Sequence, residues 1–117
     1  MFCKNSIDFE ANEIPKTVNA KIAVLTPSED KDFIVRKVSL ENGGSMPNHI
    51  NEIQHQQYVL KGEAKVIIGT EVYHAKEGDF LYIPAGVSHM YEACYNSEYE
   101  FLCMITTKDD EIKLVTE

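Results

Sequence analysis

Three of the four histidines of this chain fall in two short segments bounded by turn glycines. The first reads Gly43-Gly44-Ser45-Met46-Pro47-Asn48-His49-Ile50-Asn51-Glu52-Ile53-Gln54-His55 and runs on to Gly62. The second reads Gly78-Asp79-Phe80-Leu81-Tyr82-Ile83-Pro84-Ala85-Gly86-Val87-Ser88-His89. Imidazole is the commonest protein ligand for a borderline divalent metal ion, so histidines grouped in this way point to metal chemistry. If the first segment is extended, residues 49, 51, 53 and 55 share one face, because strand side chains alternate with period two. His49, Asn51 and His55 then project together, and the fold must bring His89 alongside them.

The elements that would do this are short strands. Phe33–Leu40 is rich in β-branched and apolar residues and meets a stop at Asn42-Gly43-Gly44. Gln57–Leu60, Ala64–Ile68, Glu71–Ala75, Phe80–Ile83, Ser88–Tyr95 and Glu100–Thr106 follow, separated by Gly, Pro and Asn signals. Such a series predicts an all-β sandwich or barrel, whose mouth is a common ligand site. An earlier strand is expected over Ala20–Leu25. Residues 1–25 are expected to supply an edge strand, pairing with the sheet or with a second subunit. The charged tail, 108–117, is expected to fray. No sustained helical period follows residue 30, and no repeat, linker or composition shift divides residues 1–117.

Composition narrows the function classes. The chain has 117 residues, 44% of them hydrophobic, which suits one domain with its own core. A formal net charge of −8 with no Lys/Arg cluster argues against nucleic acid and anionic membranes as partners. The N-terminus lacks the pattern of a signal peptide, and no apolar run spans a bilayer, so a cytoplasmic location is expected. Three cysteines, an odd number, argue against a disulfide framework. Cys94 and Cys103 lie in apolar runs and read as buried, inert thiols.

The two histidine segments resemble the two motifs of the cupin family. The first cupin motif is a Gly, five residues, His-x-His, three or four residues, Glu, six residues and Gly; here five residues separate Gly43 from His49, Asn51 stands at the second His, His55 at the Glu, and Gly62 closes the motif. The second motif is a Gly, five residues, Pro-x-Gly, two residues, His, three residues and Asn; Gly78, Pro84, Gly86 and His89 match, and Ala93 replaces the Asn. The resemblance implies a jelly-roll barrel, the double-stranded β-helix of cupins. It also implies a divalent transition metal (Mn, Fe, Ni or Zn) with His49, Asn51, His55 and His89 as candidate ligands. His at 55 removes one negative charge from the family's ligand set. Asn51 offers only a neutral carbonyl oxygen, weak toward Zn and Cu and better tolerated by Mn or Fe. Without it, the histidines remain a set of three, and three protein ligands with open positions are what a catalytic metal needs. Gly62, Gly78 and Gly86 are expected to supply positive φ, and Pro84 to end a strand and deliver His89.

Around this set, Gln57 and Val59 share the parity of His55, while Tyr91 and Ala93 share that of His89. Arg36 interrupts an apolar strand: pointing outward it is a solvated charge, pointing inward it can pair with a ligand carboxylate. Arg36, Gln57, Tyr91 and Met104 are the candidate ligand-pocket residues. Tyr58, Tyr82, Met90 and Met104 line the cavity or serve core or dimer packing. Glu52 is a candidate general base, and His74, outside both motifs, reads as strand surface. Two functions follow. One is a metal-dependent enzyme of the kind represented by cupin dioxygenases and isomerases, acting on a small oxygen-bearing ligand. The other is a non-enzymatic module that binds or senses a sugar or metabolite. A homodimer is expected, because the sheet edges of a small barrel need cover.

Overall fold

The computed structural model describes residues 1–30, 32–106 and 112–115. Among them are nine strands: β1 (Asn12–Glu13), β2 (Val18–Val24), β3 (Phe33–Asn51), β4 (His55–Ile68), β5 (Glu71–Lys76), β6 (Phe80–Ile83), β7 (His89–Ala93), β8 (Tyr99–Thr106) and β9 (Ile112–Leu114). All pairings are antiparallel. Inward and outward residues alternate along β6, β7 and β8. In β8, Tyr99, Phe101, Cys103 and Ile105 are buried, while Glu100, Leu102 and Met104 are half-buried.

The sheet folds into two leaves that share β3 and β4. In the first leaf, residues 33–40 of β3 lie between β2 and β8, and residues 55–62 of β4 lie between β8 and β6. In the second, residues 45–51 of β3 pair with β7 and β9, and residues 63–68 of β4 pair with β7 and β5. Inner faces of both leaves supply the core, including Val38, Leu40, Val59, Val66, Tyr91, Tyr99 and Phe101.

This corrects the expected strand stops at Asn42-Gly43-Gly44 and at Lys61-Gly62. The chain does not turn back there; it bends and passes from one leaf to the other. Gly43 and Gly62 adopt φ of +80° and +83°, conformations that cost an L-residue energy. At Gly62 the constraint is also steric, because a Cβ would overlap the backbone carbonyl of Glu98. A corner inside a long strand uses the same residues as a hairpin turn, and only the partner strands distinguish them.

Both termini contribute strands. β1 and β2 extend the first leaf beyond β3, so the N-terminal segment pairs with the chain's own sheet. β9 pairs with His49–Asn51 of β3, which corrects the expectation of a fraying tail over 112–114. Residues 107–111 and 116–117 of the expected tail lie outside the described residues. No helix among the described residues is long and apolar enough to cross a membrane.

Candidate functional site

His49 and Asn51 stand on the second-leaf portion of β3. His55 and Gln57 open β4, and His89 and Tyr91 open β7. Register decides what meets. His49 is the direct cross-strand partner of His89. Cys103 of β8 lies opposite both Arg36 of β3 and Gln57 of β4. The turn of the second motif is tied to the first motif by the Gly86 amide, which donates to the Asn51 carbonyl at 2.9 Å. Pro84 follows the last residue of β6, Gly86 takes φ of +79°, and the turn delivers His89 inward.

The three motif histidines are thereby brought together, none more than 6% exposed. Ring centres of His49 and His89 are 4.2 Å apart, and those of His55 and His89 are 6.1 Å apart. Each Nδ1 has a neighbour on its outer side. That of His49 lies 2.8 Å from the Pro47 carbonyl, that of His89 lies 3.0 Å from the Val87 carbonyl, and that of His55 lies 3.3 Å from Cys103 Sγ. At His49 and His89 the neighbour is a carbonyl, so Nδ1 donates and the ring lone pair lies on Nε2, the arrangement by which outer partners prepare histidine for a metal. Asn51, 3% exposed, lines the same cavity.

The donor chemistry therefore fits a borderline divalent ion, while the spacing is open. Among the described residues, no three His, Cys, Asp or Glu side chains are already drawn into one metal-holding group. An ion about 2.1 Å from two imidazole nitrogens sets their ring centres roughly 4.5–5 Å apart. The two pairs fall on either side of that separation, so the rings would have to shift to hold an ion in common.

The cavity in front of the histidines has a volume of about 70 Å³. Larger hollows of about 430 and 360 Å³ lie beside the β1–β2 hairpin and beside β5–β6, but neither Asn51 nor any of the three motif histidines lines them. The cavity wall carries Arg36, Gln57, Tyr91 and Cys103, with Ile14, Ile22 and Met46 among its apolar lining. Gln57 Nε2 donates to Tyr91 Oη at 2.7 Å. Behind it, Tyr91 stacks on Phe101 at 5.2 Å, and Phe101 contacts Tyr99 at 5.4 Å. Burial pushes the Tyr91 phenol well above its usual range, against the opposing effect of the Gln57 hydrogen bond, so Tyr91 remains a neutral donor.

The Cupin domain family model matches residues 36–105, more than half of the chain. The chain belongs to the cupin family. No curated protein matches it in sequence. Its fold is similar to that of the polyketide cyclase RemF of Streptomyces resistomycificus, with a TM-score of 0.92 at 20% identity, covering 100% of this chain and 87% of the other. Rru_A2000 of Rhodospirillum rubrum, a cupin-2 domain, aligns with a TM-score of 0.84 at 23% identity over 94% of this chain and 76% of its own. A cupin 2 conserved barrel domain protein of Rhodopseudomonas palustris aligns with a TM-score of 0.83 at 17% identity over 93% and 79%. Identities this low establish the shared fold and nothing finer about this cupin.

Several sequence expectations for the cupin site change. Arg36 points inward, with Nη2 3.5 Å from Cys103 Sγ. Met104 lies outside the cavity, lining a shallow hollow with Phe33, Gln54 and Gln56, because it alternates with the inward Cys103. Glu52 is exposed and Tyr58 and Tyr82 are exposed, since their parity turns them away from the inner face. His74 is surface, as expected, with Nε2 2.9 Å from Glu63. Cys94 is half-buried rather than buried. Cys103 is buried but not isolated: it touches His55, Arg36 and Gln57. Its parity with Phe101 was legible in the sequence, but its neighbours depend on strands far away in the chain.

Proposed function

We propose that this cupin binds one divalent transition metal through His49, His55 and His89, with Asn51 beside them, and a small oxygen-bearing organic ligand in the adjoining cavity. The observation that carries this reading is the common arrangement of the three imidazoles, each with Nδ1 set against an outer polar neighbour while the rings cluster. A bound divalent ion supplies Lewis acidity toward a ligand oxygen. The chain's own residues do the rest. The histidines and Asn51 hold the ion, the apolar wall excludes water, and Tyr91 keeps its proton available to a ligand acceptor. Metal-dependent dioxygenation or isomerisation is the enzymatic form of this reading. Similarity to a polyketide cyclase is compatible with catalysis, but one fold hosts many chemistries.

Metal analysis of protein purified without added metal tests the reading. The expected content is about one equivalent, falling in His49→Ala and His89→Ala. Content below about a tenth of an equivalent, together with unchanged metal and ligand binding in both variants, would overturn it. With metal present, dioxygen uptake or isomerisation on candidate small oxo and hydroxy compounds separates an enzyme from a binding module. We further propose a homodimer. Support comes from an outward row of aromatic side chains, Phe33, Tyr58, Phe80 and Tyr82, each at least 45% exposed.

A further inference from the structure

Among the described residues, Arg36 is the one charged side chain on the cavity wall, and no carboxylate lines that wall. It has no ion-pair partner among the described residues, and its buried Nε has no hydrogen-bond acceptor there. Its only close polar contact among the described residues is the weak one to Cys103 Sγ. A guanidinium held against a soft, neutral acceptor in a half-buried position is under-compensated, and an anion with two oxygens matches its fork. In a chain of net charge −8 this is a local reversal of sign.

A second group in the same wall asks for the complementary partner. Gln57 is 1% exposed, and its Oε1 is buried with no donor to satisfy it among the described residues. Its Nε2 is already committed to Tyr91 Oη at 2.7 Å. Having accepted that bond, Tyr91 keeps its own O–H to give. The wall therefore presents guanidinium N–H and phenol O–H donors together with an amide acceptor. A buried acceptor without a donor is costly, which favours any ligand that supplies one.

Size sets the remaining limit. A single water needs about 10–15 Å³ of such volume, so the cavity admits a ligand on the order of five to seven non-hydrogen atoms. From these observations we infer that the pocket takes a small hydroxy-carboxylate: a carboxylate to meet Arg36 and a hydroxyl to donate to Gln57 Oε1. The inference rests on the proposed ligand-binding role of the cavity and narrows its substrate class. It excludes neutral sugars, which carry too many atoms and no charge for Arg36.

The probes are glycolate, acetate and ethylene glycol, titrated calorimetrically into protein of measured metal content and into chelator-treated protein. Glycolate is expected to bind roughly 10- to 100-fold more tightly than ethylene glycol, which lacks the charge, and more tightly than acetate, which lacks the donor. Arg36→Gln is expected to lower glycolate affinity by a similar factor without changing metal content, and Arg36→Lys to recover part of the loss. Gln57→Leu is expected to remove the preference for glycolate over acetate. Equal binding of glycolate and ethylene glycol to the unaltered protein would overturn the inference whatever the variants do. So would unchanged glycolate affinity in a folded Arg36→Gln. Arg36-dependent glycolate binding to protein that holds no metal would leave this inference standing while removing the metal reading. Metal-loaded protein that ignores glycolate would remove this inference alone.

Discussion

Tyr91 and Tyr99 are buried phenols whose ionisation the fold opposes. Burial raises both, and a charge from Asp79 adds to the effect at Tyr99. The unfolded chain releases these protons near the ordinary tyrosine value of about 10, while the folded chain retains them. Below that pH both states are protonated and the contribution to stability is complete; above it, stability falls with a slope of up to about 1.4 kcal/mol per pH unit for each phenol. Melting temperature is therefore expected to drop steeply above about pH 10. Tyr99→Phe should flatten that drop, since the Tyr99 hydroxyl is buried without a hydrogen-bond partner among the described residues. An equally steep alkaline limb in the variant would show that other groups cause it. At this scale the polar wall of the cavity is set by parity: Gln57 and Tyr91 face in because they alternate correctly with His55 and His89.

At the scale of the element, the bends of β3 and β4 decide how the site is assembled. One strand runs 19 residues and the other 14, and each gives one half to either leaf. Arg36 thus reaches the cavity from the first leaf while His49 and Asn51 reach it from the second, although all three lie on β3. The bend at Gly62 has positive φ and no room for a Cβ, whereas Gly78 has φ of +92° and open space around it. Gly62→Ala is therefore expected to cost about 2–4 kcal/mol, the sum of backbone strain and steric displacement. Gly78→Ala should cost only the backbone part, about 1–2 kcal/mol. Denaturant unfolding of the two variants checks the order; equal losses would mean that the Glu98 carbonyl moves aside without penalty.

At the scale of the whole molecule, the outer face of the first leaf is as apolar as its inner face is specific. Tyr58 stands opposite Phe80 and Leu102, and Gln56 opposite Tyr82 and Met104. These residues form a continuous outward patch of the kind that marks association surfaces. For the proposed homodimer, light scattering at micromolar concentration is expected to give twice the chain mass. The double variant Tyr58→Glu, Phe80→Glu is expected to give a monomer with unchanged far-ultraviolet circular dichroism. A monomer in the unaltered protein would contradict the dimer and leave the patch as a surface for another partner.

The sequence by itself determined the class of fold, the identity of the histidine set and the face each motif residue occupies. These follow from local physics: turn residues punctuate strands, alternation has period two, and motif spacing fixes which positions share a face. It did not determine which strands lie side by side. Arg36 meets Cys103 across 67 positions of sequence, and Cys103 meets His55 across 48. Contacts of that range depend on register, and register depends on the corners at Gly43 and Gly62, which look like strand ends when read locally. The inward turn of Arg36 and the sulfur beside His55 are therefore tertiary decisions. They arise because a strand that passes between leaves exchanges partners without changing its sequence signals.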